Sequence, residues 1–269
     1  MLWRVLRWWR LRGRKLEKYK TNWRLYLVFI IGGLIGTVAI MPFDIALTPL
    51  PANINMPLAL FASIMQTMIL VALASYFGIR LAKRMGFKMP ILEKIANGEK
   101  FGSDLKSIWK SSVLWGLLGG VIVVILCIPF WNMSIDLMRQ EMAAPWWSAV
   151  LAPLYGGFVE ELFFRLFLMT FIIWIASRFT KGKPTKVGIW IAIIISAVIF
   201  GLGHLGITSN MTAITAAVVI RAVLLNGTLS IIYGLFYWKK GLETAMIAHA
   251  STDVVLHILI PQIIARMFF

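Results

Sequence analysis

Acidic residues are scarce in this chain, cysteine is scarcer still, and long polar stretches are few. Eleven Asp and Glu stand against 27 Lys and Arg, leaving a formal net charge of +16 over 269 residues. The single cysteine, Cys127, lies in an apolar run, so neither a disulfide nor a cysteine-based metal framework can form within the chain. Only 14% of residues are charged and 60% are hydrophobic, whereas soluble domains run at about 25% and about 45–50%. That balance excludes an ordinary soluble domain and indicates a membrane protein. Also missing are the Gly-x-Ser-x-Gly elbow of serine hydrolases, the His-Glu-x-x-His zinc helix and the Gly-x-Gly-Asp pattern of intramembrane aspartyl enzymes.

The positive charge has a location. Lys and Arg cluster between apolar segments, as on the cytoplasmic face of a membrane protein, so the expected partner is anionic lipid and no nucleic acid is expected. The N-terminal stretch MLWRVLRWWRLRGRKLEKYKTNWR is too long and basic for a cleavable signal peptide, and no small-residue cleavage motif follows the first apolar segment. Leu2, Trp3, Val5, Leu6 and Trp9 alternate with Arg4, Arg7 and Arg10 at roughly helical spacing. Residues 1–24 are therefore expected to form an amphipathic helix in the interface plane.

Apolar runs near 25–41, 57–79, 113–131, 147–177, 187–203, 211–238 and 242–264 each approach the roughly 20 residues a spanning helix needs. The expected fold is an all-α, polytopic transmembrane bundle of about seven to eight spans. The links 80–112, 178–186 and 239–241 are rich in Lys and Arg. Links 42–56 and 204–210 have none, and 132–146 has only Arg139. This alternation puts the N-terminus in the cytoplasm and the C-terminus outside. Residues 25–144 read as transmembrane segments without a motif, joined by a cytoplasmic link, and 145–265 as the segment that carries chemistry.

Polar residues within the apolar runs are few: Glu160, Glu161, Arg165, His204, Arg221, Asn226, His249, Asp253 and His257. Intramembrane ionisable groups cost a few kcal/mol and usually face the bundle interior or a wet cavity. Glu161 and Arg165, spaced i,i+4 in the favourable order, can pair and hold the scaffold. Glu160 points about 100° away from Glu161 on a helix and is left as the candidate general base. His249 and Asp253 are again i,i+4, so the carboxylate can orient the imidazole and favour its protonated form. His257 drifts off that face and reads as structural. Asn226 reads as an interhelical hydrogen-bonding group, with Asn226-Gly227 a candidate break in its helix. Such a set can activate water and stabilise an oxyanion, relay protons in a transporter, or hold a metal.

Three segments, Glu160-Glu161-Leu-Phe-Phe-Arg165, Phe200-Gly-Leu-Gly-His204 and His249-Ala-Ser-Thr-Asp253, occur in this order on successive membrane segments. Together they resemble the CAAX prenyl endopeptidase and bacteriocin-processing (CPBP, "Abi") family of intramembrane proteases, over roughly residues 145–260. The resemblance implies that Glu160 and His204 activate the attacking water and that His249 and Asp253 bind the developing oxyanion. It also implies that Glu161 and Arg165, with Phe200 and Asn226, support the site. One departure stands out: the best-understood CAAX-cleaving members carry Asn where this chain has Asp253. An ionised Asp cannot donate to an oxyanion, so Asp253 must be protonated or act by keeping His249 charged. Zinc would fall to Glu160, His204 and His249, but the metal-free route needs fewer assumptions.

The expected function is hydrolysis of a peptide bond in a membrane-associated peptide or protein. A proton-coupled transporter, or an immunity or scaffold protein with a silent site, is the alternative. The transporter reading predicts inverted repeats with paired broken helices, which the sequence lacks. By the charge-based topology His204 falls near the outer end of its span and His249 nearer the cytoplasm. The two meet only if 187–203 is shifted, tilted or extended.

Overall fold

A computed structural model describes residues 22–48, 53–142, 144–261 and 263. The expected interfacial helix at 1–24 lies almost wholly outside the described residues. Asn22 is the first of them, and its side chain caps helix α1 (Trp23–Leu47) by accepting from the main-chain N–H groups of Arg24 and Leu25. Helix α2 (Met56–Met85) starts behind the Asn55 cap and stops at Gly86, whose φ of 81° only glycine adopts cheaply. Lys83 and Arg84 fill its last turn, where cations complement the helix dipole. Then come α3 (Pro90–Asn97), α4 (Gly102–Leu126) and α5 (Trp131–Glu141).

The next helical run, 146–177, is composite. It comprises α6 (Trp146–Leu154), π-helical stretches Tyr155–Glu160 and Leu162–Met169, and α7 (Thr170–Ser177). Pro153 withholds a main-chain donor just before the first π-stretch, a recognised cause of helix distortion. Helices α8 (Lys186–Gly203), α9 (Leu205–Met211), α10 (Ala216–Lys239) and α11 (Leu242–Asp253) follow. A third π-stretch, Val254–Leu259, continues α11.

The described residues contain no strand, and five helices are long and apolar enough to cross a membrane. These are Trp23–Leu47, Met56–Met85, Gly102–Leu126, Lys186–Met211 and Ala216–Lys239. The chain is a multi-pass membrane protein. The expected count of seven to eight is thus met only in part. The run expected at 147–177 and the described part of that at 242–264 are helical but assembled from shorter α and π pieces. Two boundaries also move. The third span begins at Gly102 rather than 113, so the supposed 80–112 link is mostly helix. The first runs on past Pro42 to Leu47, taking in residues read as a link.

Polarity is arranged as lipid requires. Leu58, Phe61, Ile31 and Val187 are exposed, while Glu161, Arg165, Ser75, Thr244 and Thr252 are buried. Without a hydrophobic drive between helices, close packing of small residues and polar contacts hold the bundle. At the α4–α11 seam, Gly116 lies against Ala248 and Ser251, and Gly120 lies against Val255. The Thr252 hydroxyl donates to Gly116 O at 2.8 Å. Helix α1 crosses the first π-stretch, with Gly36 against Val159 and the Leu154 carbonyl. At the end bearing the Lys- and Arg-rich links, α3 ties down the start of α11. Leu242 N–H donates to Lys88 O at 3.1 Å, and Leu92 N–H donates to Glu243 Oε1 at 2.9 Å.

Candidate active site

Glu161 and Arg165 form an ion pair at 2.9 Å, and both side chains are essentially inaccessible to solvent. The guanidinium is held further by Ser230, donating to its carbonyl at 3.1 Å and its hydroxyl at 2.7 Å. It also lies between the faces of Phe200 and Tyr233, 5.0 and 5.2 Å from the ring centroids. Arg165 is therefore a cross-brace from the broken helix to α8 and α10.

Glu161 has a second role that helical spacing does not show. Its Oε1 also accepts from His249 Nδ1 at 2.7 Å. A carboxylate so placed fixes the ring orientation and puts the Nδ1 proton on the shared bond. Tyr233 stacks on the same imidazole, with centroids 4.5 Å apart and planes within 19°. The imidazole thereby presents Nε2 to the cavity, 3.6 Å from both Glu160 Oε2 and Asp253 Oδ1. These separations exceed a hydrogen bond and bring three groups together around one open position. Gly156 makes room for them: a Cβ there would overlap the Asp253 carboxylate and stand 3.2 Å from His249 Nε2. Gly157 does the same for the backbone of α11, its absent Cβ lying 2.9 Å from Met246 O.

His204 reaches this group from α8. Its helix breaks at residue 204 and resumes in α9, so the apolar span extends to Met211 and His204 lies within it rather than at its edge. The ring folds back one turn, and Nδ1 lies 2.8 Å from Phe200 O. Because a carbonyl can only accept, Nδ1 carries the proton; in the neutral ring Nε2 is then an acceptor. Phe200 separates the two imidazoles, 4.7 Å from His204 and 5.8 Å from His249 by ring centroids, edge-on to both. The conflict between the two histidine depths is resolved by the longer span and by side chains that lean toward the N-terminal end of their helix.

Glu160, His204, His249 and Asp253 all line one cavity of about 580 Å³, well within the range of about 300–1,000 Å³ that small ligands occupy. Asn226 is also on its wall, but its amide donates to Ala222 O at 3.1 Å within its own helix, and α10 runs unbroken through Asn226-Gly227. Among the described residues Asn226 makes no interhelical hydrogen bond, and the break expected there is not present. His257, expected to be structural, lines the cavity and faces Glu141 at 3.4 Å. Arg221 donates through Nε to Ser134 at 3.0 Å. Sequence reasoning missed Asp44 and Tyr155 on the wall, and Glu161 as the partner of His249. Among the described residues, no group of three His, Cys, Asp or Glu side chains is disposed to hold a metal ion.

The cavity lies toward one end of the bundle. Its wall includes the end of α1 at Leu47, Cys127 beyond α4, α5 from Trp131 to Glu141, Met211 at the end of α9, and Ile260. Those are the helix ends that meet the Lys- and Arg-poor connections.

Comparison with curated proteins and with solved structures yields no match. Residues 142–255 match the family of type II CAAX prenyl endopeptidase Rce1-like proteins. All three motifs, from Glu160 to Asp253, fall inside that stretch. Over residues 142–255 the chain is thus similar to the type II CAAX prenyl endopeptidase Rce1-like family.

Proposed function

We propose that the chain is an intramembrane endopeptidase that hydrolyses a peptide bond of a membrane-associated peptide or protein, with Glu160 as general base. The observation that carries this reading is the convergence of Glu160 and Asp253 on His249 Nε2, each at 3.6 Å, inside a cavity that also holds His204. A water between the Glu160 carboxylate and His204 Nε2 gives its proton to Glu160 as its oxygen attacks the scissile carbonyl. The carbonyl π electrons move to oxygen, and the oxyanion is met by Nε2–H of a protonated His249. Glu160 then returns the proton to the leaving nitrogen as the C–N bond breaks, giving a carboxylic acid and an amine. Glu161 keeps the Nδ1 proton in place, and Asp253 balances the imidazolium charge instead of donating to the oxyanion itself.

This route uses no resident metal. Zinc on Glu160, His204 and His249 is the arrangement it competes with. Purified protein should cleave amphipathic peptides in detergent micelles, read by mass spectrometry, and should keep that activity after exhaustive chelation. Loss on chelation with recovery on added zinc would make these residues metal ligands. Uptake into proteoliposomes with no cleavage at all would favour a transporter.

The same reading puts the cavity on the extracytoplasmic side, because the basic links at its far end are held inside. Cys127, the only cysteine, lines the cavity and makes the unmodified chain its own probe. A membrane-impermeant maleimide added to intact cells should label Cys127 and block cleavage. Labelling only in inverted vesicles would put the cavity on the cytoplasmic side.

A further inference from the structure

Asp44 stands on the cavity wall, and the reaction above has no use for it. Its place follows from α1 continuing through Pro42 to Leu47. Thr48 pins that last turn from its N–H at 2.8 Å and its hydroxyl at 2.7 Å, both donating to the Asp44 carbonyl. The Asp44 carboxylate itself makes no hydrogen bond or ion pair with another described residue. Around it on the wall are Ile40, Phe43 and Leu47 from its own helix. Two other charged side chains on the cavity wall have partners: Glu141 faces His257, and Arg221 donates to Ser134. Glu160, within electrostatic reach of Asp44, is a second anion and not a partner.

A carboxylate in an apolar wall is costly unless a cation meets it. The described residues supply none here, and a bound peptide can. We propose that Asp44 is the specificity determinant of the cavity and receives a cationic side chain, Lys or Arg, of the peptide being cleaved. The proposal rests on the peptidase reading of this site. It adds that the substrate carries a basic residue close to the scissile bond, on the side that lies toward α1. A cation placed there also offsets the repulsion between Asp44 and Glu160, so binding the right peptide settles the site electrostatically.

The test uses synthetic peptides that are identical except for Lys, Gln or Glu at each position flanking the cleaved bond. The native sequence should favour Lys over Gln at one position by about tenfold, and more strongly over Glu. In Asp44→Asn the Lys-to-Gln ratio should fall to near unity, and in Asp44→Lys the preference should turn to Glu. An equal loss on all three peptides would overturn the proposal and make Asp44 a partner of Glu160 in the chemistry. An unchanged ratio would overturn it as well. Anisotropy of the same labelled peptides on the Glu160→Gln protein, with and without Asp44→Asn, reads recognition without turnover. Absence of a Lys preference there defeats the role of Asp44, whereas selective binding with no cleavage by the native chain defeats the peptidase reading alone.

Discussion

A protein carrying Glu160→Gln is expected to insert, fold and bind peptide while its turnover falls by about a thousandfold, within the span attributed to a lost general base. Glutamine preserves the shape of the side chain and its contact with the cavity but cannot accept the proton of the attacking water. Glu160 is part-buried and makes no short hydrogen bond among the described residues, so the substitution breaks no close ion pair there. The fall should therefore lie in kcat with KM little changed, and thermal unfolding in detergent should match the native protein. Full activity in this variant would remove Glu160 from the reaction. A large drop in unfolding temperature would show that it holds the fold instead.

The neighbouring carboxylate should behave in the opposite way. Glu161→Ala strands Arg165 in a site where both partners were inaccessible, and it takes the acceptor away from His249 Nδ1. Breaking a buried pair from one side costs about 3–5 kcal/mol, so the unfolding midpoint should drop sharply and activity should go with it. The double variant Glu161→Leu with Arg165→Met removes both charges and should recover much of the stability. It should not recover activity, because His249 remains unheld. If Glu161→Ala instead leaves the unfolding midpoint alone and eliminates only turnover, the two carboxylates have their roles reversed.

Several parts of the architecture were legible because they are local. Apolar runs mark α1, α2, α8 and α10, and i,i+4 spacing places Glu161 beside Arg165 and His249 beside Asp253. The start of α4 was hidden because Lys106 and Lys110 look like a link although helix continues beneath them. Asp44 was hidden by Pro42, which reads as a helix stop yet sits inside α1. The bond from Glu161 to His249 joins residues 88 apart in sequence, and no periodicity within one helix reports which face a second helix will offer. The same holds for Tyr233 on His249 and for Ser230 on Arg165. The ring of His204 turning back onto Phe200 depends on a helix ending at Gly203, a boundary that composition places only loosely.

The π-helical stretches carry a consequence about length. An i→i+5 turn holds one residue more than the α-turn it replaces. The run Tyr155–Glu160 ends on the first carboxylate of the doublet, and Val254–Leu259 begins directly after Asp253. Were Tyr155–Glu160 wound as ordinary α-helix with every residue kept, the rest would be turned by about 100°. Glu160 would then arrive where Glu161 had been, and Arg165 would turn away from Ser230. The doublet works like a vernier, in which two adjacent marks are told apart only by the phase of the scale behind them. Many substitutions along this stretch leave that phase untouched, whereas a change of winding does not.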